Sequence, residues 1–201
     1  HFQVFTPFWK ALQCLSFPKP QPIPILRGYH PPLASEAIQT WGLNPTMWGS
    51  GFQETWQPGE DGAGEALSNF LSEILESYAL KRDYPSGHFT SRLSPHLHWG
   101  ELSPNQVWHH VIGLHGDQGL PFLRQLAWRE FSHHLLFHFP KLPSDPLRSS
   151  FQNFPWESDS AALKAWQEGK TGYPIVDAGM RELWHTGWMH NRVRLITASF
   201  L

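Results

Sequence analysis

The apolar residues between Glu60 and Tyr78 repeat with the period of an α-helix. They follow the i, i+3, i+4, i+7, i+8, i+11 spacing of one buried face: Leu67, Phe70, Leu71, Ile74, Leu75 and Tyr78. The pattern therefore predicts a helix that begins at about Glu60 and buries this face. The sequence Pro85-Ser86-Gly87 predicts the turn that follows it, ahead of a Ser/Thr-rich loop from Thr90 to Ser94.

Helix start and stop signals divide the rest of the chain into further helical segments. Starts are predicted at Pro104 behind an N-cap at Ser103, at Pro121, at about residue 159, at Pro174 and near Trp188. Stops are predicted by Pro140, Gly169 and Gly187. The sequence has neither an alternating strand pattern of useful length nor an internal repeat, so we predict an all-α fold.

Residues 1 to about 55 follow a different pattern. Half of the 18 prolines fall within the first 58 residues, and four of them alternate: Pro18, Pro20, Pro22 and Pro24. Such spacing forbids a regular helix and favours an extended, polyproline-like backbone. Aromatic residues in the same stretch indicate that it packs on a surface. We therefore predict an extended, Pro-rich connector over residues 1–55 and a helical domain over residues 56–201.

Composition limits the function and the setting of the chain. Its 201 residues include 15 basic and 17 acidic side chains, so any contact with nucleic acid must be local. A single cysteine, Cys14, excludes an internal disulfide framework and suits a reducing compartment. Because the sequence shows neither a signal peptide nor a membrane-spanning apolar run, we expect a soluble, cytoplasmic protein. The chain opens on His1 and closes inside an apolar segment, so we expect both ends to be cut.

Three segments concentrate polar and aromatic side chains. Thr90-Ser91-Arg92-Leu93-Ser94 combines hydroxyls with a guanidinium, which suits a phosphate cradle or an ordinary turn with an N-cap. Trp128-Arg129-Glu130-Phe131 sets two charges beside two large rings, as a structural ion pair or as a face for a nucleobase. Trp188-Met189-His190-Asn191-Arg192-Val193-Arg194 crowds amide and guanidinium groups at a helix start, as a ligand-binding face or a solvated one.

The 13 histidines do not predict a metal site. His134 and His138 are spaced i, i+4, but the sequence has no HExxH motif and indicates no third ligand. Gly59, Gly62 and Gly64 have the wrong spacing for a dinucleotide-binding loop and follow no predicted strand. We therefore predict no metal ligand and interpret the glycine cluster as the lead-in to a helix.

In this order, the three segments resemble the FAD-binding domain of photolyases and cryptochromes, most of all that of a class I deoxyribodipyrimidine photolyase. The resemblance runs from about Phe5 to Leu201 and is carried jointly by six motifs: Val4 to Lys10, Thr90 to Pro95, Gly100 to Pro104, Trp128 to Phe131, Lys170 to Ala178 and Trp188 to Arg192. It implies a multi-helical domain, incomplete at its C-terminal end. This domain would hold FAD in a U-shaped conformation below a pocket for a flipped-out pyrimidine dimer.

The resemblance also implies roles for single residues. Those at the cofactor are Tyr78, Thr90, Ser91, Arg92, Leu93, Ser94, Phe122, Gln125, Arg129 and Arg194. Those at the DNA are Arg82, Gln125, Trp128, Asn191 and Arg192, with Trp128 stacking on the dimer. Trp156 matches the surface member of a tryptophan electron relay whose inner members would lie beyond Leu201. The implied catalytic residues are therefore Trp156, Trp128 and Asn191.

The activity implied by the resemblance is light-dependent repair of cyclobutane pyrimidine dimers in DNA, by electron transfer from reduced FAD. The implied parent is a monomer with an α/β antenna domain, ahead of the connector, that binds a folate or deazaflavin chromophore. Two positions depart from the family pattern: Phe122 replaces a common tryptophan, and Gln125 replaces the glutamate of many dimer photolyases. A glutamine cannot accept two hydrogen bonds as a carboxylate does.

Two alternatives to repair stay open from the sequence. One is a cryptochrome, a blue-light photoreceptor that keeps the flavin but signals through partners without repairing DNA. The retained Trp128, Asn191 and Arg192 favour repair over this reading. The other is a truncated helical scaffold without catalytic activity, because a pocket that lacks one wall can lose its cofactor.

Overall fold

The computed structural model describes residues 1–22, 24–25, 28, 34–42, 49–155 and 157–201. Within these residues the regular structure is helical throughout, which confirms the predicted all-α fold. The α-helices are α1 (Phe5–Leu12), α2 (Ser50–Thr55), α3 (Glu60–Asn69), α4 (Leu75–Lys81), α5 (Ser94–Trp99), α6 (Pro104–His115), α7 (Leu120–His138), α8 (Ser160–Gln167), α9 (Pro174–Thr186) and α10 (Asn191–Ser199). A π-helical turn, Phe70–Ile74, joins α3 to α4.

Four of the five predicted starts and the three predicted stops lie within two residues of the observed helix ends, whereas α10 begins later than the predicted start near Trp188. Ser103 caps α6 reciprocally: its hydroxyl accepts a hydrogen bond from the Gln106 amide at 3.1 Å, and the Gln106 side chain accepts from the Ser103 amide at 2.8 Å. Gly187 ends α9 with a φ of +71°, a left-handed conformation that glycine adopts without strain. Helix α10 begins at Asn191, because His190 is its N-cap and accepts from the Arg192 amide.

The N-terminal segment is less extended than predicted, since it contains α1 and α2. Pro7 lies in the first turn of α1, where a missing N–H costs no helical hydrogen bond. Phe5 and Trp9, one turn apart, bury their rings and stabilise this helix. The alternating prolines that dominated the prediction follow α1, and Pro18 and Pro20 lie outside any helix.

Residues His1–Pro20 and Pro58–Asp159 form one compact unit. Its main core draws apolar side chains from α3, α4, α5, α6 and α7, and Phe70, Leu93 and Leu123 are buried almost completely. A second cluster packs Phe5 and Trp9 of α1 against α7. Helix α7 therefore contributes to both clusters and is the central element of this unit.

Residues Gln21–Gln57 and Ser160–Leu201 form the other unit. Its core consists of Met180 of α9 together with Met189 and Val193, and Trp166 of α8 packs against them. Trp166 also donates its indole N–H to the Thr197 carbonyl of α10 at 2.9 Å. Three helices thus surround one small apolar cluster.

Helices α9 and α10 approach each other closely at Gly179. A Cβ atom built at this position overlaps a methyl group of Val193, which is 4% exposed and cannot move into solvent. It also lies 3.3 Å from a Thr197 methyl group. Only glycine therefore permits this helix pair to pack as it does.

We expect Gly179→Ala to lower the free energy of unfolding by about 1–3 kcal/mol, the usual cost of overpacking a core. Gly64→Ala is the matched control, since a Cβ there meets nothing within 4 Å and the position is inside α3. That variant should gain about 0.5–1 kcal/mol. Urea unfolding followed by circular dichroism measures both changes, and equal stability of the two variants would contradict the close packing.

Candidate functional site

Helix α7 has a buried face and a face that lines a cavity. Phe122, Leu123 and Leu126 point into the core. On another side of the helix, Arg124, Gln125 and Trp128 border a space of about 670 Å³. We call this space the α7 cavity. Its lining residues come from α1, from the end of α4 and from the start of α7: Trp9, Gln13, Ala79, Arg82, Asp83, Leu120, Pro121, Arg124, Gln125 and Trp128.

The Trp128 indole is held from one side by the ring of Phe5. The two rings stack with centroids 3.7 Å apart and planes 7° from parallel, and Phe5 is 4% exposed. Phe131 adds an edge contact at 5.8 Å. Trp128 nevertheless remains 45% exposed, so a large flat surface is fixed in orientation and still accessible at the cavity.

Two guanidinium groups and one carboxylate line the α7 cavity. Arg82 forms an ion pair with Asp83 at 3.7 Å and lies over the Tyr78 ring, 5.7 Å from its centroid. Arg124 lies 5.4 Å from the centroid of the Phe5 ring, within cation–π range. The carboxylate is therefore beside Arg82, and the cavity keeps an excess of positive charge near Arg124.

Gln125 lies between these groups and is partly exposed. Its side-chain amide donates to the Pro121 carbonyl one turn earlier at 3.3 Å, which uses one of its donors within α7. The side chain lines the same cavity as Arg82 and Trp128. The structure therefore brings together three of the residues predicted at the DNA.

Tyr78 and Phe122, two of the predicted cofactor residues, lie in the core. Their rings meet edge to face at 5.5 Å, and Phe70 contacts both, at 5.7 Å and 4.4 Å. The two are 7% and 4% exposed. Burial raises the pKa of the Tyr78 phenol, so the group stays neutral and keeps its proton to donate.

The Thr90–Ser94 loop leads directly into α5, which begins at Ser94. Leu93 is 1% exposed and anchors the loop in the core, whereas Thr90, Ser91 and Arg92 are partly accessible. Arg92 has a φ of +52°, the only positive φ of a non-glycine residue in the part of the chain that the structure describes. A left-handed arginine costs about 1–2 kcal/mol, and such cost is concentrated at functional loops.

A buried histidine fixes the start of α5 behind this loop. His96 is 4% exposed, and its Nδ1 lies 2.6 Å from a carboxylate oxygen of Glu101. The other oxygen of Glu101 accepts from the Gly59 amide at 2.8 Å. The hydrogen bond with His96 lowers the pKa of the Glu101 carboxyl, so this carboxylate stays charged and ties α5 to the lead-in of α3.

Arg129 connects α7 to the same region. Its guanidinium donates to the Leu97 carbonyl of α5 at 3.4 Å and pairs with the neighbouring Glu130 at 3.3 Å. The side chains of this pair are 33% and 47% exposed, so the two charges are not buried as an isolated pair would be. A surface pair of this kind adds little stability, and Arg129 acts here mainly as a link between two helices.

Three of the remaining predicted residues, Asn191, Arg192 and Arg194, belong to the other unit. Asn191 and Arg192 are exposed in the first turn of α10, and Arg194 is exposed one turn later with its guanidinium donating to the Met189 carbonyl at 3.3 Å. His190, 2% exposed, caps this turn. Trp156 lies outside the described residues, so its role in an electron relay stays a prediction.

The loop before α9 is fixed by one carboxylate. Asp177 accepts from the amide and the hydroxyl of Thr171, both at 2.7 Å, and from the Gly172 amide at 3.0 Å. The Thr171 hydroxyl is the main cause that lowers the pKa of the Asp177 carboxyl. The resembling motif from Lys170 to Ala178 thus combines a closed loop, residues 170–173, with the first turn of α9.

Sequence reasoning missed most lining residues of the α7 cavity; those with polar or aromatic side chains are Trp9, Gln13, Asp83 and Arg124. A signal for Arg124 was present, because Pro121, Arg124, Gln125 and Trp128 follow the i, i+3, i+4, i+7 rule of one helical face. Trp9 belongs to the resembling motif from Val4 to Lys10, but no pattern placed it or Gln13 at a cavity, since only the tertiary packing of α1 on α7 brings them there.

The described residues contain no group of three or more histidine, cysteine, aspartate or glutamate side chains placed to hold a metal ion. None of their helices combines the length and the apolar character needed to cross a membrane.

Residues 122–201 match the family model of the FAD-binding domain of DNA photolyase. A deoxyribodipyrimidine photo-lyase of Agrobacterium fabrum is 45% identical over 208 residues, which cover 100% of this chain and 43% of the relative. Cryptochrome-2 of Arabidopsis thaliana is 42% identical over 156 residues, which cover 72% of this chain and 26% of the relative. The chain spans less than half the length of the curated relatives it matches.

Solved structures agree with these relatives. The crystal structure of a bacterial class III photolyase from Agrobacterium tumefaciens has a TM-score of 0.93 and 45% identity, and the match covers 100% of this chain and 43% of that one. The crystal structure of a Synechocystis cryptochrome has a TM-score of 0.66 at 32% identity over 72% of this chain and 32% of that one.

We expect Asp177→Asn to lower the free energy of unfolding at pH 7, because the amide cannot replace the charged acceptor of three hydrogen bonds. The folded pKa of Asp177 is lowered, so its stabilisation is present above the usual carboxyl pKa of about 3.9 and is lost as pH falls through the lowered value. Unfolding measured at pH 7, 4 and 2 should show the gap between variant and wild type closing.

Asp145→Asn is the control for this experiment, because Asp145 is exposed and its side chain has no recorded hydrogen bond to a described residue. It should match the wild type at every pH. A gap for Asp177→Asn that persists unchanged at pH 2 would contradict the assignment.

Proposed function

Since the chain belongs to the photolyase and cryptochrome family, we propose that it forms the dimer-binding part of an enzyme that repairs cyclobutane pyrimidine dimers in DNA with light. One observation carries the proposal: the α7 cavity is lined together by Trp128, Arg82 and Gln125. These groups supply a stacking surface, a cation and an amide, which suit two adjacent, unstacked bases of one DNA strand. The 45% identity with a photo-lyase supports the same reading.

The donor set of the chain fits FAD. Thr90, Ser91 and Ser94 supply hydroxyl groups, and Arg92 supplies a guanidinium, on a loop whose backbone is held by the buried Leu93. Hydroxyl, amide and guanidinium donors are the groups that bind a diphosphate. We assign the diphosphate of FAD to this loop, with Tyr78, Phe122, Gln125, Arg129 and Arg194 as the further cofactor residues. When bound and excited by light in its reduced form, FAD supplies the electron that splits the dimer.

The tasks of the chain's own residues are binding and orientation. Trp128 stacks on the flipped-out dimer, and its fixed plane sets the position of the lesion. Gln125 offers a carbonyl and an amide to the base edge, while Arg82, Asn191 and Arg192 contact the DNA. Flipping bases out of the duplex costs a few kcal/mol. The cost is lower for the two joined bases of a dimer, which already stack poorly, and this difference contributes to selectivity.

Within the family we propose the class III assignment instead of the class I resemblance, because the Agrobacterium tumefaciens structure of that class matches the whole chain. The complete protein would carry its folate or deazaflavin antenna in a separate α/β domain and would act as a monomer. Trp156 would serve as the surface member of the electron relay. The antenna domain and the monomeric state concern the complete protein, whereas this chain covers 43% of the photo-lyase relative.

A cryptochrome function is the second candidate, and one residue favours it. Gln125 replaces a carboxylate that could accept two hydrogen bonds from a dimer. Cryptochrome relatives at 42% identity are consistent with a photoreceptor. The two candidates differ in a single measurable outcome, which is the loss of dimers in the light.

The test is a repair assay on the complete protein, loaded with FAD and reduced. An oligonucleotide with one thymine dimer is illuminated with blue light, and the remaining dimer is quantified. We expect dimer loss in the light and none in the dark. Flavin photoreduction without dimer loss would contradict repair and favour the photoreceptor.

We expect Trp128→Ala to weaken binding of the dimer-containing oligonucleotide by about 5- to 150-fold, the worth of one base–aromatic stack. Trp99→Ala is the matched control, because Trp99 is 76% exposed and lies outside the α7 cavity. Fluorescence anisotropy measures both affinities. Equal losses for the two variants would remove the stacking role from Trp128.

We expect Arg92→Gly to weaken FAD binding by about 10- to 150-fold, since a hydrogen bond from a charged donor contributes about 1.5–3 kcal/mol. Glycine accepts the φ of +52° at this position, so the variant removes the guanidinium and leaves the backbone conformation allowed. Titration with FAD, followed by flavin fluorescence, gives the affinity. An unchanged affinity would show that the guanidinium does not bind the cofactor.

A further inference from the structure

Arg124 differs from the other cation of the α7 cavity, since its side chain has no charged partner among the residues that the structure describes. Its guanidinium group makes neither a hydrogen bond nor an ion pair with any residue that the structure describes, and its one contact with a ring is the one with Phe5. Arg82 at the same cavity has Asp83 at 3.7 Å. The side chain of Arg124 therefore leaves a positive charge uncompensated where the cavity is concave.

The Phe5 ring orients this charge. The Arg124 guanidinium lies 5.4 Å from the centroid of Phe5, and the same ring stacks on Trp128 at 3.7 Å. An arginine held against an aromatic ring loses less conformational freedom when it binds an anion. One buried ring thus positions both the cation and the stacking surface.

The spacing along α7 relates the charge to that surface. Arg124 and Trp128 are four residues apart and line the same cavity, so their Cβ atoms are about 5–6 Å apart on one helical face. A nucleotide whose base stacks on Trp128 brings its backbone phosphate within range of the long arginine side chain. Guanidinium groups are suited to phosphate because their N–H donors match two of its oxygens.

We propose that Arg124 is a further substrate-binding residue, which binds a phosphate of the DNA strand at the flipped-out dimer. The assignment rests on the proposed repair function, because it places the lesion on Trp128. It also gives Arg124 a role next to Gln125. The neutral amide of Gln125 forms weaker hydrogen bonds with the lesion than a carboxylate does, and the charge of Arg124 adds affinity for the same DNA strand. The contact forms only when the lesion enters the cavity, so it acts on damaged DNA and not on intact duplex.

The test uses the complete FAD-loaded protein and two duplexes, one with a single thymine dimer and one undamaged. Affinities are measured between 50 and 200 mM salt, an interval over which phosphate contacts have a strong effect. For Arg124→Gln we expect the slope of log K against log salt to become shallower by about 0.9 on the dimer duplex. On undamaged duplex we expect no change.

Two control variants accompany this one. Arg124→Lys keeps the charge and should restore the wild-type slope. Arg148→Gln removes another exposed arginine whose guanidinium has no hydrogen bond or ion pair with a described residue. Arg148 lies outside the α7 cavity, so this variant should change neither slope. Flavin absorbance of each variant verifies that it is folded and loaded.

A second measurement needs no protein variant. Neutral methylphosphonate groups replace the phosphates that flank the dimer, and the wild-type slope should then fall to the value of Arg124→Gln. Unchanged slopes in both experiments would overturn the proposal. An equal decrease on damaged and undamaged duplex would overturn it too, since it would make Arg124 a general backbone contact.

The outcome for wild-type protein separates this inference from the proposed function. If the wild type repairs dimers while Arg124→Gln keeps the full salt slope on the dimer duplex, only the role of Arg124 fails. If the wild type neither prefers nor repairs the dimer duplex, the proposed function fails, and the assignment of Arg124 fails with it.

Discussion

The burial of one face of α7 is the constraint on which the candidate site depends. Leu123 and Ala127 are 0% and 1% exposed, so this helix cannot rotate about its axis without opening the core. Because an α-helix has a fixed period, the same constraint directs Arg124 and Trp128 to the α7 cavity. Packing on one side thus determines which side chains are available for binding on the other.

The aromatic contact between α1 and α7 adds rigidity to this arrangement. Phe5 is distant from Trp128 in sequence, yet their parallel stacking at 3.7 Å restricts the indole to one plane. A side chain that is oriented before binding loses less entropy when a ligand arrives. The N-terminal segment is therefore part of the candidate site, and its role is wider than that of a connector.

Carboxylates with several donors hold the loops that surround the helices. Glu101 joins His96 to Gly59, and Asp177 closes the turn ahead of α9. Each satisfies backbone N–H groups that would otherwise lack a partner. Each carboxyl also has a lowered pKa, mainly because of a side-chain hydrogen bond, with His96 for Glu101 and with Thr171 for Asp177. Charged acceptors of this kind restrict loop positions more than an apolar contact does, because a hydrogen bond depends on direction.

The sequence by itself determined helices α3, α6, α7, α8, α9 and α10 and the caps of α6 and α9, but not α1, α2 or α5. The capping box at Ser103 and the left-handed Gly187 are local, so nearby residues suffice to predict them. Tertiary structure alone decided that Phe5 supports Trp128, that Tyr78 lies in the core and that Arg124 shares a cavity with Arg82. Such relations depend on contacts between segments far apart in the chain, which helical periodicity cannot specify because it gives the face of each helix and not its neighbour.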